Sequence, residues 1–219
     1  MKTKNLKISL IINLLILVLV TLGTIFMVIG FSFMGGTQVL TSTGFSPLKY
    51  YTVDSNILVG IASLLIVIYE CRLSNNKIKE IPKFIFILKY VSTVAVCLTF
   101  LVTLFYLAPL YGNKFLFLYK NSNLFFHLLV PILSFISFTL YEKANLEFKH
   151  TFYGISTMIL YGVYYATNIF IHQKNGVVTI EYDWYSFVKD GVSNIFIVFP
   201  VMIIFTYLIS VMIYKLNKK

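Results

Sequence analysis

Residues 6–34 read LKISLIINLLILVLVTLGTIFMVIGFSFM, an apolar stretch broken by one charge, Lys7. At 1.5 Å per residue it is long enough to cross a hydrocarbon core about 30 Å thick as a helix. It follows Lys2, Lys4 and Lys7 and so mimics a secretory leader. Its apolar run is too long for one, however, and no small-residue cleavage site follows. It reads as a retained membrane helix.

Five more stretches of this kind follow. With the first, the predicted spans are Leu6–Met34, Tyr51–Tyr69, Phe84–Leu110, Leu124–Tyr141, Phe152–His172 and Asn194–Tyr214. The predicted fold is all-α, a polytopic membrane protein forming a bundle of six transmembrane helices as one domain over residues 1–219. Composition agrees: 58% of residues are hydrophobic and 12% charged. A water-soluble domain of this size has no way to cover so much apolar surface. The net charge of +10 is carried by lysines between the apolar runs, the pattern of membrane-protein loops rather than of a nucleic-acid surface. The two cysteines, Cys71 and Cys97, form no disulfide framework or zinc spacing.

Orientation follows from the lysines. Twelve Lys and Arg fall in the N-terminus, the loop Arg72–Lys83, the loop Lys143–Lys149 and the C-terminus. Five fall in the alternate loops, at Lys49, Lys114, Lys120, Lys174 and Lys189, and Lys89 lies within the third helix. The positive-inside rule places both termini in the cytoplasm of a multi-pass cell-membrane protein. The loops Gly35–Tyr50 and Gln173–Ser193 are then expected outside.

Polar side chains in lipid are costly and usually face the bundle interior. Thr52, Ser55, Asn56 and Ser63 lie near one face of the second helix, and Asp54 points elsewhere. Tyr161, Tyr165, Asn168 and His172 form a single stripe on the fifth, and Ser92, Thr99, Thr103 and Tyr106 another on the third. His127 stands in an apolar run of the fourth, where a structural hydrogen bond and chemistry are equally good readings. Given the topology, Thr52, His127, Tyr106, Asn168, His172 and Asn194 all fall in the outer half. The expectation is one outward-opening pocket lined by Thr52, His127, Tyr165 and Asn168, with Tyr182, Trp184, Tyr185 and Phe187 as a flap. The cytoplasmic half is expected to hold far fewer polar groups. With no paired charges and no inverted repeat, ion-coupled transport is not expected. Bland readings stand beside these. Thr99, Thr103, Ser63 and Ser134 suit helix–helix glue. Tyr50, Tyr51, Tyr111 and Tyr164 suit an interfacial belt. His150 reads as a solvated loop residue. Pro131 has no N–H for the carbonyl of His127, four residues back, so a bend with a free acceptor is expected there. Pro200 has the same relation to Phe196.

Two motifs carry a family resemblance. Tyr51-Thr52-Val53-Asp54-Ser55-Asn56 resembles the aromatic-Thr-x-x-Ser-Asn signature of a bacterial six-helix membrane family, and Phe126-His127-Leu128-Leu129-Val130-Pro131 resembles its His-x-x-x-Pro motif. That family is distantly similar to the eukaryotic androgen-induced-gene family of membrane hydrolases, which cleave lipid esters, including fatty acid esters of hydroxy fatty acids, with a threonine and a histidine. The resemblance covers the whole chain in helix number and order. It implies that Thr52 is a nucleophile and His127 its base. One departure is Asp183-Trp184-Tyr185-Ser186-Phe187, where the family often has a proline- and tyrosine-rich segment. The expected partners are membrane lipids such as fatty-acid esters, with no cofactor, no metal and no nucleic acid.

The chemistry of those residue types is consistent with that role. A threonine hydroxyl needs a base to take its proton, and histidine titrates near neutrality. Candidate oxyanion or pocket groups are Ser55, Asn56, Tyr106, Tyr161, Tyr165, Asn168, His172 and Asn194. Asp54, Asp190 and the carbonyls near Pro131 are alternatives for orienting His127. A metal site built from His127, His172, Asp54 and Asp190 is the weaker enzymatic reading, since no two of them stand at a recognised ligand spacing. The rival class is a non-enzymatic lipid- or small-molecule-binding membrane protein or accessory subunit.

Overall fold

The computed structural model of the protein describes residues 3–35 and 43–218, so residues 36–42 of the first long loop, and Lys2 and Lys219, lie outside the described residues. Six helices are long and apolar enough to cross a membrane: α1 Lys4–Ile29, α2 Tyr51–Ser74, α3 Lys83–Tyr119, α4 Ser122–Tyr141, α5 Phe148–His172 and α6 Val192–Lys218. There is no strand among the described residues. The predicted bundle is therefore observed.

The centre is α3. Seventy-two per cent of its most apolar window is buried, against 22–44% for the other helices. It touches α2, α4, α5 and α6, while α1 packs on α2 and α4. Without a hydrophobic drive between helices in lipid, close packing and interhelical hydrogen bonds hold such a bundle. Gly154 of α5 is a point of close approach, since a Cβ there would lie 2.8 Å from Ser210 Cβ of α6. Ser210 Oγ in turn donates to Thr151 O at 2.7 Å, and Tyr90 of α3 bonds Ser210. Ser134 glues two helices, meeting Thr93 at 2.8 Å, while Thr99 Oγ1 donates to the backbone of its own helix, at Ala95 O, 3.3 Å.

Both ends of the chain lie on one face of the bundle, which we call the terminal face. There Lys143 Nζ donates to Asn217 O at 3.1 Å, and Glu147 pairs with Lys83 and Lys149. His150, expected in solvent, is buried. It closes a capping box at the start of α5, accepting from Glu147 N at 2.7 Å, because this end of α5 has N–H groups to satisfy. Tyr51 is likewise no belt residue. It is buried, bonds Thr157 at 2.9 Å and meets Tyr161 edge-on.

The spans differ most from expectation at two ends. α2 continues past Tyr69 to Ser74, and α3 passes Pro109 and ends in a 3-10 segment, Gly112–Tyr119. The α2 extension, together with the burial of Lys89 and Glu142, overturns the expectation of a polar-poor terminal half. Glu70, Lys89 and Glu142 are all buried there, with Ser9, Asn13, Ser63, Ser92 and Ser137.

Candidate functional site

The fourth helix is not regular around His127. Phe125–Leu129 form a π-helical turn, in which Val130 N bonds Phe125 O five residues back. Such wide turns often occur at functional sites. In this register the carbonyl that loses its partner to Pro131 is Phe126's rather than His127's. It is taken up by α2: Asn56 Nδ2 donates to Phe126 O at 3.1 Å and to Thr52 O at 2.8 Å. One side-chain amide thus ties the first turn of α2 to the residue before His127. A second π-helical turn, Thr103–Leu107, precedes Pro109 on α3.

His127 is 4% exposed, and its Nδ1 lies 2.9 Å from Leu118 O. A carbonyl only accepts, so Nδ1 carries the hydrogen and Nε2 holds the lone pair. Leu118 belongs to the 3-10 segment that turns back beneath the loop after α3. Two left-handed residues, Gly112 and Asn121, shape that return. Asn121 pins it to the end of α1, accepting from Phe33 N at 2.8 Å and Met34 N at 2.7 Å and donating to Ser32 Oγ at 2.7 Å. Tyr119 follows, its ring edge-on to His127 with centroids 6.5 Å apart, and its hydroxyl is buried with no partner among the described residues.

Thr52 lies on the inward face of α2 with Asn56, Val59 and Ser63. Those three are fully buried, yet Thr52 is part-exposed, so the bundle opens at its first turn. Its hydroxyl makes no hydrogen bond to a described residue, His127 included. Ser55 is buried and committed, donating to Thr52 O at 3.0 Å and meeting Thr99 Oγ1 at 3.2 Å. Both N–H bonds of Asn56 are used, which leaves it no hydrogen for an oxyanion. Asp54 and Asp190 are exposed, and the group orienting His127 is a backbone carbonyl instead.

The α5 stripe meets a different partner. The loop before α6 folds onto it. Asp183 accepts from Tyr165 Oη, from Phe187 N at 2.9 Å and from Val188 N at 3.1 Å. Asn168 Nδ2 donates to Tyr182 O at 2.7 Å, and Trp184 Nε1 donates to Tyr161 Oη at 3.0 Å. Tyr185 Oη accepts from Tyr51 N at 2.9 Å, and burial pushes its own hydroxyl well above the usual tyrosine range. His172 is exposed and stacks on Tyr182 at 3.7 Å. The flap is therefore seated directly on Tyr161, Tyr165 and Asn168, and no hydrogen bond or ring contact joins these three to His127. Tyr106 is half-exposed on α3, and Asn194 lies at the start of α6. Sequence reading missed Leu118 and Tyr119. A backbone acceptor has no side-chain signature, and Tyr119 fell beyond the predicted end of the third span.

No protein-family model matches the chain, and no curated protein or solved structure shows significant similarity to it.

Proposed function

We propose that the chain is a membrane-embedded lipid-ester hydrolase, with Thr52 as nucleophile and His127 as general base. The observation that carries this reading is the Nδ1–H bond from His127 to Leu118 O, which leaves the Nε2 lone pair free on a buried histidine whose preceding residue is tied to α2 by Asn56. The motif resemblance around Thr52 and His127 supports the same assignment. In this reaction His127 Nε2 takes the Thr52 Oγ1 proton as oxygen attacks the ester carbonyl. The Tyr119 hydroxyl, buried without a partner among the described residues, hydrogen-bonds the oxyanion. The proton then passes to the departing alkoxide, and water releases the acid from the acyl-threonine by the reverse sequence. With twelve basic residues on the terminal face against five opposite, the site opens to the outer leaflet and the termini are cytoplasmic.

The test is lipid-ester turnover by purified wild type, Thr52→Ala, His127→Ala and the double variant. Each single loss is expected to cost about 10²–10⁴ in rate, and the double about as much as either alone. Folded Thr52→Ala protein with full turnover removes threonine from the mechanism. The second reading is a lipid-binding or small-molecule-binding membrane protein or accessory subunit. It is favoured by one observation, that Thr52 and His127 are not hydrogen-bonded here. An active-site-directed fluorophosphonate separates the two, since a hydrolase reacts with it and a binder does not.

A further inference from the structure

Lys89 sits at mid-bundle and is fully buried, with Nζ donating to Ser63 Oγ at 2.8 Å. Two carboxyl groups are buried with it, Glu70 of α2 and Glu142 just after α4. Their hydrogen bonding is unequal. Glu142 Oε1 accepts from Ser137 Oγ at 2.6 Å and from Asn13 Nδ2 at 2.9 Å. Neither oxygen of Glu70 has a partner among the described residues. Ser9 faces it without making a hydrogen bond of good geometry, and the charged groups acting on it are Glu142 and Lys89. Glu142 Oε2 and Asn13 Oδ1 are orphaned too.

The charge count does not close with every group ionised. One ammonium faces two carboxylates, which leaves a net negative charge in a low-dielectric interior. An uncompensated buried ion costs several kcal/mol. Glu142 Oε1 has two donors, and neither oxygen of Glu70 has one among the described residues. Protonating Glu70 neutralises the cluster and places a hydrogen on a group that lacks one.

A cleft of about 730 Å³ opens above the cluster on the terminal face. Its walls include Leu6, Leu73, Phe86 and Lys143. Each stands within one helical turn of a cluster residue, respectively Ser9, Glu70, Lys89 and Glu142. Lys79 and Lys83 also line it, with one carboxylate, Glu80, and the three lysines of the wall together with Lys89 disfavour a metal cation as the missing charge. Toward the other face, five consecutive residues of α3, Val94 to Leu98, are apolar and buried.

We infer that Glu70 is an exchangeable proton site, reached by water through the cleft on the terminal face, with Lys89 and Glu142 as its fixed partners. The Glu70 carboxylic acid releases its proton to water in the cleft and becomes a carboxylate, taking the cluster from neutral to a charge of minus one. This does not depend on ester hydrolysis at Thr52.

Dicyclohexylcarbodiimide, which adds to protonated carboxyls in apolar surroundings, tests it on the intact protein in oriented proteoliposomes. Peptide mapping is expected to find the adduct on Glu70 and not on Glu142. Once the bath passes the midpoint of the group, the rate should fall about tenfold per pH unit. The response should follow pH on the terminal face alone, and Glu70→Gln should abolish the adduct. Infrared difference spectra of unlabelled wild type should show a carboxylic-acid band lost on alkaline titration, and this readout decides the matter if Glu70→Gln does not fold. An adduct confined to Glu142, a rate indifferent to pH, or control by pH on the opposite face alone overturns the inference.

Discussion

Asp183→Ala removes the anchor of the loop before α6. Asp183 is 4% exposed and accepts three hydrogen bonds, from Tyr165 Oη, Phe187 N and Val188 N. A hydrogen bond to a charged group contributes about 1.5–3 kcal/mol net, and the donors left behind are themselves buried or part-buried. Three bonds share one side chain and are not additive, so the low end applies and the loss is about 4 kcal/mol. That shifts the equilibrium between seated and open loop about a thousandfold. The six helices do not depend on this loop for their backbone hydrogen bonds, so helical circular dichroism should hardly change. Trp184 is the only tryptophan and lies beside the anchor, with ring centroids 5.0 Å from Tyr165 and Lys49 Nζ 5.2 Å above its ring. Its emission should shift red and its acrylamide quenching should rise in Asp183→Ala, while the Phe187 and Val188 amides lose exchange protection. Tyr165→Phe deletes one of the three bonds and should produce about a third of the free-energy change. Unchanged Trp184 emission in folded Asp183→Ala, or an equal effect from Tyr165→Phe, would refute the reasoning.

Gly154→Ala should destabilise the detergent-solubilised protein by about 1–3 kcal/mol, because its Cβ meets Ser210 Cβ at 2.8 Å and Val94 Cγ2 at 3.4 Å. Thermal unfolding checks this, and Ser210→Gly on the same background should recover part of the loss. Lys149 and Lys83 beside Glu147 hold its carboxyl down to about 2 from 4.5. The stability they add is full above the ordinary glutamate range and is lost as pH falls toward about 2. Glu147→Gln should therefore lower stability slightly in the neutral region and flatten the acid limb of the pH–stability curve, the two proteins converging as pH falls toward about 2. In intact cells lacking Cys71 and Cys97, an impermeant thiol reagent should label Gly176→Cys and spare Asn75→Cys, and the reverse pattern would overturn the orientation.

The number and order of the helices were legible because an apolar run long enough to cross lipid is a property of consecutive residues. What joins the helices was legible at Ser134, whose partner Thr93 was not. Pro131 announced a free carbonyl, but the π-helical turn moved it from His127 to Phe126, a register change that no local preference dictates. The orienter of His127 was not legible at all. It is a main-chain oxygen on a segment placed by the left-handed turns at Gly112 and Asn121. Of the fifth-helix stripe, Tyr165 is buried and His172 is exposed, and the anchor that seats the flap on it, Asp183, was not legible because it comes from a loop whose path hydropathy does not describe.

The charged cluster escaped for a different reason. Glu70 and Glu142 each stand one residue beyond a predicted span, at positions where an apolar average ends and a loop is assumed. Lys89 was visible inside its helix but had no partner in view. The continuation of α2 to Ser74 brings Glu70 into the bundle, and Glu142 enters from just after α4 through its bonds to Ser137 and Asn13. The bundle then holds two polar zones at different depths. One lies around Thr52, Asn56 and His127, and the other around Glu70, Lys89 and Glu142. Along α3 they are separated from Lys89 to Thr99, about 15 Å at 1.5 Å per residue. The interval contains Val94, Ala95, Val96, Cys97 and Leu98, all buried, with Val59 of α2 and Val130 of α4 packed against the same layer. The apolar part of that interval, Val94 to Leu98, is about 7 Å long at 1.5 Å per residue, and Ser92 and Thr93 are buried on its terminal side. On the inference drawn for Glu70, a change of protonation there reaches the Thr52 end through the packing of α2 against α3.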